Sequence, residues 1–222
     1  MTPPEKPLGD DGGLQFFGRI SASISHELKN ALAVVNEISG LLDDLTALSV
    51  KKKKPPDLDR FASLSKRIGD QVDRADGIVK RLNKFSHTID EQAKLVDVAE
   101  AVDFLCALCG RFADQKMVEL VKEPPNKPPQ VETNLFGFLL VMFLLVDRAM
   151  DLAGKNGKVH LAVRPVDGGA GVDISGTWQQ PFDLAPENRD TLKTWQGRLG
   201  MTVGGLGEKS AVTIVWPPRP PL

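Results

Sequence analysis

The stretch Phe17-Gly-Arg-Ile20-Ser-Ala-Ser-Ile24-Ser-His26-Glu-Leu28-Lys-Asn-Ala31-Leu-Ala-Val-Val35-Asn-Glu-Ile38-Ser-Gly-Leu-Leu42-Asp-Asp-Leu45 decides the fold. Phe17, Ile20, Ile24, Leu28, Ala31, Val35, Ile38, Leu42 and Leu45 recur at steps of three and four, the spacing that gathers side chains on one face of a helix. A helix from Leu14 to Leu48 would be about 50 Å long. It stops at Val50-Lys51-Lys52-Lys53-Lys54-Pro55-Pro56, because proline lacks the donor that continues a helix. Asp57 then serves as an N-cap. A second stripe follows: Leu58, Phe61, Leu64, Ile68, Val72, Ala75, Ile78 or Val79, Leu82, Phe85 and Ile89. Two long amphipathic helices on a short linker form an antiparallel hairpin. One hairpin cannot bury both stripes alone, so the pattern predicts a homodimer in which two hairpins make a four-helix bundle.

On either side of the hairpin the texture changes. Residues 1–13 are rich in Pro, Gly and Asp and read as a disordered leader, leaving 14–92 for the hairpin. Residues 93–216 read as a small α/β sandwich with helices on one face of a sheet. Within it, Ala99–Gln115 is a helix and Glu123–Gln130 a proline-rich loop. Thr133–Leu152 is a helix apolar nearly all round, hence buried. Lys158–Val166 and Gly171–Gly176 alternate as strands around the turn Asp167-Gly-Gly. Pro186–Gly197 is a helix, and Leu199–Val203 with Ala211–Val215 form a closing hairpin. Residues 217–222, Pro-Pro-Arg-Pro-Pro-Leu, are a polyproline-type tail.

Composition narrows the function classes. A 41% hydrophobic content is enough for a core, and a net charge of −1 gives no basic field for nucleic acid. The longest apolar run, Leu135–Val146, falls short of the roughly 20 residues that span a bilayer. The start Met1-Thr-Pro-Pro-Glu has no signal pattern. A soluble cytoplasmic protein with neither nucleic acid nor membrane as partner is the expectation.

His26 lies two positions from both Ile24 and Leu28, about 200° round the helix, and so points away from the hairpin core. Asn30 shares its face, Lys29 flanks it, and Glu27 is its neighbour. An imidazole titrates near neutrality and can act as a nucleophile. An adjacent carboxylate can fix its tautomer or take its proton. Ala33, Val34 and Glu37 follow at helical spacing, and with Lys29 they mark where a docking partner would lie.

The string Ile24-Ser-His-Glu-Leu-Lys-Asn-Ala-Leu32 resembles the H-box of sensor histidine kinases, with Ala31 where many members have proline. The resemblance covers residues 14–90. It implies that His26 is phosphorylated, that Glu27 assists proton handling and that Asn30 could orient a hydrolytic water. In those kinases an ATP-binding α/β sandwich follows, with an asparagine-bearing helix that holds magnesium and phosphate. Met142 and Val146 stand at the asparagine places here, and neither offers the hard oxygen that magnesium needs. Gly176 stands where an aspartate would read the adenine amine, and no glycine-rich lid follows. The fold class is therefore α plus α/β: a dimeric hairpin bundle with a degenerate kinase-ATPase-like sandwich. The combination resembles standalone bacterial histidine phosphotransferases, which pass phosphate between response-regulator receiver domains. It implies no bound cofactor, magnesium being supplied by the partner receiver. A divergent sensor kinase and a non-catalytic dimeric adaptor or inhibitor remain the alternatives.

Other features carry bland readings. Cys106-Ala-Leu-Cys109 has no second pair for zinc and apolar flanks, so it packs as small hydrophobes. His87 lacks carboxylate and amide company, and His160 sits in a strand. Lys51–Lys54 reads as a solvated loop that could also dock a partner. Asp167-Gly-Gly-Ala-Gly171 precedes its strand instead of following it and reads as a hairpin turn, and Val203-Gly-Gly-Leu-Gly207 reads as a turn that lacks a following helix N-terminus to bind phosphate.

Overall fold

A computed structural model describes residues 11–123, 125, 127–209 and 211–217. Most of the expected leader and tail lies outside these residues. The chain divides into two compact units, one of residues 21–86 and the other of residues up to 20 and from 87 onward.

The first unit is a helical hairpin made of α1 (Asp11–Lys52) from Ser21 onward and α2 (Leu58–His87) up to Ser86. Asp57 caps α2, its carboxylate accepting the Arg60 N–H at 3.0 Å. Ile24, Ala31 and Ile38 of α1 and Leu64, Ile78 and Phe85 of α2 are buried, on a seven-residue repeat in each helix. Beside this inner stripe runs a second one. Leu32, Val72 and Val79 are exposed, and Leu28, Val35, Ala75 and Leu82 are half-buried.

The second unit contains β1 (Lys94–Asp97), α3 (Val98–Lys116), β2 (Glu119–Glu123), β3 (Gln130–Thr133), α4 (Leu135–Ala153), β4 (Lys158–Val166), β5 (Gly169–Gly176), α5 (Pro186–Leu199), β6 (Thr202–Gly204) and β7 (Val212–Trp216). The main sheet has the order β2-β4-β5-β7-β6, with β2 parallel to β4 and the other pairs antiparallel. A parallel pair needs a crossover, and α4 lies within it. β1 and β3 form a separate antiparallel pair.

α4 is the centre of the core. Leu135 through Val146 are all buried, as expected for a helix without a polar face. Asn134 caps it by accepting the Gly137 N–H at 2.8 Å. Gly137 itself permits α5 to approach, since a Cβ there would meet the Trp195 ring at 2.4 Å. Phe138 stacks on Trp216 of β7 with ring centroids 4.7 Å apart.

Three differences from the sequence reading stand out. β1, β2 and β3 are additional strands, and β2 and β3 flank the segment expected as a loop. β5 begins at Gly169, because the turn is only Asp167-Gly168, with Gly168 at φ +73°, a conformation that favours glycine. The unit boundary falls at residues 20/21 and 86/87, where the sequence suggested 13/14 and 92/93. The reason is that the first turns of α1 pack on α4: Phe16 sits 5.5 Å from Phe136 and 5.1 Å from Phe143, and Ile20 is fully buried.

Candidate functional site

His26 is exposed on α1, as its angular position requires. Lys29, Asn30, Ala33 and Glu37 are exposed as well, while Val34 is half-buried. The helix thus carries these side chains on a largely open face beginning at the imidazole. Glu27 turns toward α2, where its carboxylate meets the Arg81 guanidinium at 3.4 Å. The pair is sheltered, with the Glu27 side chain 17% and the Arg81 side chain 25% exposed. Glu27, next to His26 in sequence, is therefore paired with a cation from the other helix.

Arg81 was absent from the sequence reading. A faint signal existed, since position 81 lies between the buried Ile78 and Phe85 and so flanks the inner face. Pairing it with Glu27 additionally requires the register of the hairpin, which no local pattern supplies.

In the second unit, the positions singled out for nucleotide chemistry are occupied by packing. Met142 and Val146 are fully buried. A Cβ at Gly176 would meet the Trp178 ring at 2.6 Å and the Lys158 carbonyl oxygen at 2.8 Å, so a larger residue does not fit there. Trp178 packs edge-on against Phe182, 5.6 Å between centroids, in the segment Thr177–Ala185, which contains no glycine. The polar residues of α4 are Asp147, Arg148 and Asp151, and Asp147 is the most engaged. Its carboxylate receives Arg19 at 2.9 Å and Lys116 at 2.6 Å, and Lys116 also meets Asp151 at 2.7 Å. Arg19 lies over the Phe143 ring at 4.7 Å. A cleft of about 380 Å³ beside these groups is bordered by Asp147, Asp151 and Asp183 together with Arg148 and Asn188. Each of the three carboxylates has a cationic partner, Asp147 in Arg19 and Lys116, Asp151 in Lys116 and Asp183 in Arg189.

The remaining candidates fall outside this chemistry. Cys109 is buried, and burial pushes its thiol far up; the half-buried Cys106 is pushed up to about 11 by the same cause. Such thiols are protonated and inert. His87 is exposed at the end of α2, and His160 on β4 faces Glu123 at 3.2 Å. Among the described residues no group of His, Cys, Asp and Glu is arranged to hold a metal, and no helix is long and apolar enough to cross a membrane.

No protein family and no curated protein matches the chain. Similar solved structures include the catalytic domain of the histidine kinase ThkA, at 13% identity over 56% of this chain and 93% of that one, with a TM-score of 0.48. The Acinetobacter baumannii histidine kinase AdeS shares 18% identity over 88% of this chain and 98% of its own, at 0.45. A bacterial phosphotransferase covers 90% of this chain and 95% of its own at 8% identity and 0.47.

Proposed function

We propose that the chain is a histidine phosphotransferase, moving a phosphoryl group between receiver aspartates through His26 without using ATP. The observation that carries this reading is an exposed imidazole followed by a carboxylate that Arg81 holds in place, within a string resembling the H-box. In the forward step an imidazole nitrogen attacks the phosphorus of an aspartyl phosphate. The acyl phosphate bond breaks, the aspartate leaves as a carboxylate, and Glu27 is the base at hand for the imidazole proton. A second receiver aspartate reverses the step. The receiver brings magnesium with its own acidic residues, so no metal site is required here. It docks over Lys29, Asn30, Ala33, Val34 and Glu37, and Asn30 orients any hydrolytic water.

The outer stripe of Leu28, Leu32, Val35, Val72, Ala75 and Val79 is the second half of the reading. Covering it calls for a second hairpin, giving a homodimeric four-helix bundle. A divergent kinase would need nucleotide binding, against which Gly176, Met142 and the neutralised Asp147 speak. A non-catalytic adaptor would need His26 to be dispensable.

The test is transfer from a purified phosphorylated receiver. Wild type should acquire an acid-labile phosphoramidate and His26→Ala should acquire none, while remaining folded and dimeric. Labelling of His26→Ala moves the site to His87; absence of label on wild type with every receiver tried overturns the reading in favour of an adaptor.

A further inference from the structure

The tip of the hairpin, where α1 hands over to α2, has a character of its own. Lys51, Lys52, Lys53, Lys54 and Arg60 gather there and are all exposed. None of the ion pairs among the described residues uses them, whereas Lys66, Lys80 and Arg81 of α2 each have an acidic partner. Asp57, in the linker beside them, is committed to capping α2. Val50 and Leu58 stand beside these cations at 74% and 73% exposure. Between the helices a groove of about 260 Å³ has Leu45, Leu48 and Phe61 among its lining and Lys52, Lys54 and Arg60 on its border.

The backbone adds an independent observation. α1 ends with the Lys54 N–H donating to the Ser49 carbonyl and the Lys53 N–H to the Val50 carbonyl, which places Lys53 at φ +49°. That is the left-handed position closing a helix, where glycine is favoured. A lysine there, third in a run of four like charges, opposes both local preferences. Residues that break a local rule without a structural return mark functional surface.

We propose that this tip docks an acidic polypeptide segment carrying an apolar side chain. The concave groove accepts a side chain, which a flat lipid surface does not offer. It presents no exposed aromatic platform for stacking nucleic-acid bases. A second copy of the chain would bring the same cations to it, so self-pairing is the wrong occupant for this end. The tip lies about 36 Å along α1 from His26, far enough for a receiver at the histidine and a partner at the tip to bind together.

The experiment uses the full chain and a fluorescein-labelled peptide of repeated Glu-Glu-Leu, read by anisotropy. The quadruple variant K51S/K52S/K53S/K54S should weaken binding about tenfold, from four exposed charge pairs of modest individual worth. Replacing the peptide's leucines by serine should weaken it as well. Lys53→Gly is the decisive variant: it should raise the melting temperature while weakening the peptide about twofold. Equal binding by wild type and the quadruple variant overturns the proposal. So does preferential binding of phosphatidylglycerol vesicles or of heparin over the peptide, which would assign the tip to a lipid or a general polyanion.

Discussion

Replacing Arg81 by methionine removes the cation that holds Glu27 while keeping most of the side chain's bulk. At 3.4 Å and an effective dielectric of ~20, the gross attraction is about 5 kcal/mol. Desolvation and side-chain ordering consume most of it, and fully exposed pairs retain only about 0.2–1 kcal/mol. The Glu27–Arg81 pair, 17% and 25% exposed, should retain somewhat more, about 1.4 kcal/mol or a factor of ten. Arg81→Met should therefore slow phosphoryl acceptance by His26 about tenfold, as should Glu27→Gln. The double variant should be no slower than either single, because each change breaks the same unit. Arg81→Lys should recover part of the rate, since the charge survives and the planar fork does not. Quenched-flow transfer from a phosphorylated receiver measures this, with thermal melts confirming that the hairpin is intact. A double variant slowed about a hundredfold, or Arg81→Met at the wild-type rate, would refute the idea that Arg81 positions Glu27.

Asp147→Asn should cost about 2 kcal/mol by weakening charge-assisted bonds from Arg19 and Lys116, which calorimetry should register as a melting point lower by roughly 6 °C. Gly176→Asp restores the residue that an adenine site would use, yet it should lower stability and leave magnesium-ATP unbound by titration calorimetry, because Trp178 and the Lys158 carbonyl occupy the space. Burial pushes the Asp173 carboxyl up, but the bonds from Arg164 and Thr213 outweigh it and hold the group below its ordinary range. A carboxylate depressed by folding stabilises above its unfolded pKa and loses that contribution as pH falls through the folded one. Acid unfolding monitored by circular dichroism should therefore show a shallower loss of stability for Asp173→Asn than for wild type.

The helices of the hairpin could be read from sequence because their apolar residues repeat over many turns, so that single exceptions hardly matter. The same periodicity says which face is buried but not against what. Phe16 and Ile20 belong to the α4 core although Ile20 continues the hairpin stripe without a break. Strands β1, β2 and β3 escaped because Lys94-Leu-Val-Asp97, Glu119-Leu-Val-Lys-Glu123 and Gln130-Val-Glu-Thr133 offer one or two apolar residues each. At that length alternation is indistinguishable from loop. At the site, His26 and its exposed face followed from angular position, a local property. Arg81, and the cations on Asp147, come from elements far away in sequence and depend on register and packing.

The burial of α4 on every side also sets a timetable for motion. Its amides hydrogen-bond within a helix that α3, α5, β4 and β5 all touch. No partial opening frees them, so they should exchange with solvent hydrogen only when the whole α/β unit unfolds. The last turn of α1, exposed through Lys52 and closed by a strained lysine, opens by fraying of a few residues. One chain thereby holds amides that exchange on widely separated timescales, slowest in a helix without chemistry and fastest at a surface built of charge.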